Sequence, residues 1–348
     1  MRNGISVYVG LNYELEESLS LIETAANLNL SRLFTSANIP ETANDEKFFD
    51  DFAMILATAI EKNFEVILDV SKETFTNFEI ENLTLRLDDG FSVPEMAEIS
   101  RERKIQLNAS TVTPETLKYL QIAGANFGNI SALHNFYPHL HTGLDTYFFE
   151  EQNKILHDFG IEVGAFVPSR EGRRRPPLFE GLPTLEDCRN FSTDLSARFL
   201  AALGTDFIMI GDGLPTEAEC ESVAKISDDE IILQAKLFAT DATTIELLNQ
   251  KFTRRPDVAK SVIRAVEGRQ ILKTFGGTIQ PDDVATQRTF GDITVDNSDF
   301  GRYEGEVQIV EDILPPDSRV NVVAAVVEEE NFLTRYIKPS QKFSFRFV

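Results

Sequence analysis

Strand-like apolar runs alternate with helical patterns through about the first 225 residues of this chain, and that alternation limits the fold more than any other feature. The runs lie at 4–9, 31–35, 64–70, 83–88, 104–108, 125–131, 161–167 and 204–211. Helical periodicity falls between them at about 14–28, 45–62, 93–103, 113–123, 145–159, 184–203 and 215–226. Only the connection at 71–82 lacks a clear helix. Several helix starts and stops are marked. Ser92 with Glu95 forms a capping box, and Thr113 precedes a proline at the first helical position. Gly124, Gly160 and Gly204 stand just past helix ends. Strand alternating with helix predicts a parallel sheet, and eight repeats favour a closed (β/α)8 TIM barrel over an open doubly wound sheet. No G-x-G-x-x-G follows the first strand, so the usual dinucleotide fingerprint is absent.

Beyond about residue 230 the pattern changes. One strand-like run (230–238) and two helical stretches (about 241–249 and 256–267) precede short strands at 290–295, 304–310, 319–327 and 342–347. This predicts a smaller, mainly β second domain. The expected division is a catalytic barrel over 1–235 and a β domain over 236–348.

The net charge is −23, with 56 acidic against 33 basic residues among 348. Nucleic acid and anionic membranes would be repelled by such a surface, so neither is an expected partner. An anionic substrate would need a local cluster of arginines. Two cysteines without a CxxC give no disulfide framework, and the N-terminus enters a strand directly with no apolar leader. A cytoplasmic protein is expected.

Catalytic groups of (β/α)8 barrels sit at the C-terminal ends of the strands. There the sequence places Tyr8, Thr35-Ser36, Asp69, Arg86, Asp88-Asp89, Asn108, His134-Asn135, Ser169-Arg170 and Asp212. The ring is rich in carboxylates and holds no cysteine nucleophile. Two carboxylates flanking a bond are what glycoside hydrolysis requires. Asp69, Asp88, Asp212 and the loop acid Glu180 are the candidates. Asp88 leads as nucleophile or base, with Arg86 to orient it. For the proton donor, Glu180 and Asp212 compete. After the seventh strand come Arg170, Arg173, Arg174 and Arg175, a candidate anion pocket because the guanidinium fork binds phosphate or carboxylate bidentately. A solvated basic loop paired with nearby acids is the plainer alternative. His139 and His141 have a zinc-compatible spacing but follow Pro138 in a loop, so no metal is expected. His134 is expected to bond substrate or a neighbouring carboxylate. Asn108 and Asn135 suit sugar hydroxyls, or equally the capping of strand ends.

Taken together, several motifs carry a resemblance. They are Arg86-Leu87-Asp88-Asp89-Gly90-Phe91, Gln106-Leu107-Asn108-Ala109-Ser110-Thr111, His134-Asn135-Phe136-Tyr137-Pro138 and Glu180-Gly181-Leu182-Pro183-Thr184, with Gly291-Asp292-Ile293-Thr294-Val295-Asp296-Asn297 and Gly301-Arg302-Tyr303-Glu304-Gly305-Glu306 further on. In this order they resemble the 6-phospho-N-acetylmuramidase family over essentially the full length. The resemblance implies a TIM barrel followed by a cyclophilin-like β domain. It also implies a cytosolic glycosidase that cleaves 6-phospho-N-acetylmuramic acid–N-acetylglucosamine in cell-wall recycling, without metal or organic cofactor. A phosphorylated sugar suits the arginine loop. Arg86, Asn108, His134, Asn135, Tyr137, Arg170 and Arg175 are then the expected substrate contacts. His139-Leu140-His141 stands where the family pattern has Arg-Pro and an aromatic residue, which keeps open a non-catalytic sugar-phosphate-binding paralogue. The second domain is expected either to cover the barrel mouth, of its own protomer or of a homodimer partner, or only to stabilise the protein.

Overall fold

Apolar strands that are buried on both faces need helices outside and side chains inside, and a closed barrel provides both. The computed structural model describes residues 1–11, 13–37, 47–74 and 83–348, without the side chains of 88 and 89. Eight parallel strands close in sequence order: β1 (Gly4–Ser6), β2 (Arg32–Ser36), β3 (Glu65–Ser71), β4 (Thr84–Asp89), β5 (Ile105–Asn108), β6 (Ile130–Leu133), β7 (Glu162–Val167) and β8 (Phe207–Ile210). β8 pairs back onto β1 through Gly4↔Met209 and Ile5↔Ile210. The α/β class and the barrel therefore stand as the sequence indicated.

Among the described residues the barrel helices are α1 (Leu15–Asn27), α2 (Phe48–Glu61), α3 (Val93–Glu102), α4 (Pro114–Ile122), α5 (Thr146–Asp158), α6 (Thr193–Ala202) and α7 (Glu217–Ala224). Ser92 and Glu95 do form a capping box, and the Thr113 side chain accepts from Thr116 N. Such caps contribute about 1 kcal/mol each. Two expected boundaries shift. The run at 125–131 begins as a 3₁₀ turn (Phe127–Asn129) capped by Asn126, and the strand starts only at Ile130. The helical pattern at 184–203 is two pieces, a 3₁₀ turn (Glu186–Asn190) and α6, because Ser192 caps a new helix by accepting from Leu195 N.

The barrel interior is aromatic. Tyr8, Phe34, Phe166 and Phe207 pack with Ile67, Leu133, Leu182 and Met209. Phe34 and Phe166 meet edge to face with centroids 5.3 Å apart. Phe207 fits only because residue 164 is glycine, where a Cβ would lie 2.1 Å from its ring.

The chain divides into two compact units, Met1–Ile226 and Ser227–Val348. The second is a seven-stranded, mainly β sheet with α8 (Ala242–Leu248) and α9 (Gly268–Phe275). Its strands are β9 (Glu230–Leu237), β10 (Phe252–Thr253), β11 (Val262–Arg264), β12 (Asp292–Asp296), β13 (Val307–Val310), β14 (Val320–Val326) and β15 (Lys342–Phe347), in the order β10-β15-β9-β14-β12-β13-β11. β9 pairs with β14 and β15 of this unit, which places the division at 226/227 ahead of that strand, where the sequence reading had it at 235/236. The helix expected at 256–267 is absent. Val262 and Ile263 pair with Val310 and Ile309 instead, as β-branched residues favour, and the helix begins at Gly268.

Candidate active site

At the C-terminal ends of β2, β3, β4 and β6, polar side chains form a connected chain. Arg86 is 3% exposed. Its Nη1 donates to the Leu133 carbonyl at 2.7 Å and its Nη2 to Asn135 Oδ1. Its Nε lies 3.6 Å from Asp69 Oδ1, and Asp69 Oδ2 accepts from Ser36 Oγ at 2.9 Å. A buried guanidinium needs such partners. Arg86 is thereby turned to the ring itself and fixes Asn135 and Asp69. Asp88 follows two residues later on β4, but its side chain is outside the described residues.

His134 has a different place from the expected one. It is fully buried, with its ring 4.5 Å from that of Phe149. Its Nε2 lies 2.9 Å from Asn153 Oδ1 and its Nδ1 3.2 Å from Ser110 Oγ. Ser110 Oγ accepts from Asn135 N at 2.9 Å, so its hydroxyl proton is free for His134 Nδ1 and the imidazole carries its proton on Nε2. Among the described residues no carboxylate bonds this ring, which is fully buried. His134 positions Ser110, and through it Asn135, from below. Asn108 caps its own turn by accepting from Ser110 N at 3.0 Å.

Burial lowers the His134 pKa from 6.5 to about 4. A histidine depressed in the folded state binds its proton in the unfolded chain first. It therefore contributes stability that is present above pH 6.5 and lost as pH falls toward 4, about 3 kcal/mol in all. Chemical denaturation at pH 7 and pH 4.5 should show His134→Gln losing less stability on acidification than the unsubstituted protein. Parallel losses would mean that the imidazole is not buried neutral.

Two buried carboxylates hold the loop after β7. Asp212 Oδ2 accepts from Ser169 N at 2.9 Å and Leu182 N at 3.3 Å, and its Oδ1 from Arg175 N at 3.0 Å. Burial raises its pKa against these three donors, which favour the charged form. Glu219 on α7 accepts from Arg170 N, Glu171 N and the hydroxyls of Ser169 and Thr193. It was not singled out from sequence, although Thr216-x-x-Glu219 has a capping-box spacing, and the box does form. Glu186 and Arg189, also unforeseen, secure the loop after β6. Glu186 accepts from His141 N and Gly143 N, while Arg189 donates to Glu186 and to the carbonyls of Tyr137 and His139. The Arg189 hydrogen bond holds Glu186 at a pKa of about 2. Tyr137 is tied through its backbone, N to Pro183 O at 2.9 Å, and its side chain is half-buried.

The loop arginines separate sharply. Arg170 is exposed and reaches the Arg189 carbonyl at 3.4 Å. Arg173 pairs with Glu17 on α1. Arg174 donates to the carbonyls of Ser169 and Phe179. Arg175 lies 4.7 Å from the centroid of Tyr8 and 5.6 Å from that of Phe136, its Nε buried without a hydrogen-bond partner. No carboxylate among the described residues pairs with its guanidinium. Glu180 is exposed on the same loop, one residue before Gly181. There φ is +80°, and a Cβ would meet Pro168 at 3.0 Å, so only glycine fits comfortably. His139 and His141 are exposed, the former with Nδ1 2.7 Å from Leu140 O.

Residues 3–225 match the family model described as 6-phospho-N-acetylmuramidase, N-terminal, and 231–346 match its C-terminal counterpart. The chain belongs to the 6-phospho-N-acetylmuramidase family. It is accordingly a glycosidase acting on a phosphorylated muramic sugar. An uncharacterised Bacillus cereus protein of known structure is similar at 29% identity and TM-score 0.88, with 99% of each chain covered. A conserved Enterococcus faecalis protein of unknown function is also 29% identical, at TM-score 0.72, over 100% of this chain and 96% of its own. No curated protein sequence matches this chain. No helix among the described residues is long and apolar enough to cross a membrane.

Proposed function

We propose that the barrel hydrolyses the glycosidic bond of 6-phospho-N-acetylmuramic acid–N-acetylglucosamine in cytoplasmic cell-wall recycling. The observation that carries this reading is Arg175. In a chain of net charge −23, one guanidinium of the strand-end ring lies beside two aromatic rings without a carboxylate partner among the described residues. Such a cation suits the phosphate or lactyl carboxylate of the substrate. Asp88, at the end of β4, is the proposed nucleophile or base. Glu180 is the proposed proton donor, since both oxygens of Asp212 are engaged with the backbone of the arginine loop. Asp69, Arg86, His134 and Asp212 then hold the geometry, and Asn135, Tyr137 and Arg170 border the substrate.

A 6-phosphomuramyl chromogenic glycoside tests the activity directly, because a purely sugar-binding paralogue would bind it without releasing the chromophore. With the same glycoside, Arg175→Ala should raise KM about tenfold or more, as loss of a charge-assisted contact implies. The unphosphorylated analogue should be affected little. An equal rise for both compounds would reduce Arg175 to a structural role.

A further inference from the structure

Buried polar atoms in folded proteins nearly always have partners, so a group of unpartnered ones on one face is informative. In the second unit, Thr294 and Asp296 alternate onto the same face of β12. Across from them on the neighbouring strand lie Gln308, paired with Thr294, and Glu306, whose carbonyl accepts from Asp296 N at 3.1 Å. Thr294, Asp296 and Glu306 are each at most 3% exposed. Thr294 Oγ1, Asp296 Oδ1 and Glu306 Oε2 are all buried without a hydrogen-bond partner. Asp296 makes no side-chain hydrogen bond to any described residue. Glu306 Oε1, by contrast, accepts from Arg264 Nε at 2.6 Å, while Arg269 Nε stays 3.8 Å from Oε2. The turn that follows β12 brings Tyr303, whose ring lies 5.7 Å from the Arg269 guanidinium.

The charges select the occupant. Asp296 and Glu306, with Asp317 nearby, disfavour an anion, and the guanidiniums of Arg264, Arg269 and Arg288 disfavour a cation. What remains is a neutral ligand that gives protons to the carboxylates and accepts them from the arginines. Hydroxyls do both. An aromatic ring beside such a cluster suits the C–H face of a pyranose.

We propose that the Thr294–Asp296–Glu306 face of the second unit is a binding site for a neutral sugar, with vicinal hydroxyls donating to Asp296 and Glu306. Burial and the neighbouring Glu306 raise the Asp296 pKa to about 7 against the opposing pull of Arg288. The inference stands on the second unit alone and does not require the barrel chemistry proposed above.

The test is calorimetric titration of the full chain with N-acetylglucosamine. Saturable binding is expected. Asp296→Asn should weaken it about tenfold or more. Arg175→Ala should leave it unchanged, since that guanidinium lies on the barrel loop beside Tyr8. Thermal unfolding of Asp296→Asn should stay close to that of the unsubstituted chain, because the carboxylate removed makes no side-chain hydrogen bond to a described residue. Thr294→Val, which removes only a hydroxyl, supplies a second reading and should weaken binding in the same direction. Absence of saturable binding, equal affinity in both second-unit variants and the unsubstituted chain, or loss of binding in Arg175→Ala would each overturn the proposal. Hydrolysis measured in parallel keeps failure here distinct from failure of the glycosidase mechanism.

Discussion

Asp88→Asn is expected to lower kcat by about 10³-fold or more while leaving the unfolding midpoint nearly unchanged. The size follows from removing the group that forms or breaks a covalent bond, rather than one that only binds. The expectation rests on position. β4 runs Thr84–Asp89, so Asp88 lies on a barrel strand at the end where such enzymes place their chemistry. Arg86 precedes it by two residues and is anchored to Leu133 O and Asn135. The amide is isosteric and sits at a strand end, which is why stability should hold. Steady-state kinetics on a phosphorylated muramyl glycoside, with thermal unfolding alongside, checks both halves. Turnover within a few-fold of the unsubstituted enzyme would remove Asp88 from the chemistry.

The barrel was legible because its signals are local. Apolar period, Ser92 with Glu95, and glycines 124, 160 and 204 at positive φ all act within a few residues. Where neighbours in space decide, the sequence misled. Residues 262–264 form a strand because β13 pairs with them from more than forty positions away. The site divides in the same way. Strand ends pointed to Asp69, Arg86 and Asp212, which do lie at the barrel's C-terminal rim or join its polar network. The four loop arginines were indistinguishable in sequence, since what sorts them is distant. Glu17, which neutralises Arg173, belongs to the first helix, and Tyr8, beside Arg175, to the first strand's end. His134 was expected to bond substrate or a carboxylate because it stands in a polar motif at a strand end. Its burial depends on Phe149 and Asn153, contributed by α5.

The remaining prediction separates Glu180 of the arginine loop from Asp212, which follows β8 and holds that loop. Asp212 is fully buried, and its oxygens accept three backbone N–H groups. In Asp212→Asn one oxygen becomes an NH2 group that faces a donor. Each buried N–H left unsatisfied costs about 1–3 kcal/mol. The variant should therefore unfold at lower denaturant. It should also raise KM for the phosphorylated glycoside, because Arg175 is attached through the same carboxylate. Glu180 is exposed and bonds to no described residue, so Glu180→Gln should leave stability untouched. If Glu180 delivers the proton, that variant should lose about 10²–10⁴-fold in kcat for a glycoside with a poor leaving group. It should lose far less for one whose leaving group needs no proton. That leaving-group contrast is absent for a residue that only shapes the loop. The opposite result, a stable Asp212→Asn with the leaving-group dependence and a fully active Glu180→Gln, would transfer the proton donor to Asp212. Its pKa, already raised by burial, would then outweigh the three backbone donors that argue for a permanent carboxylate.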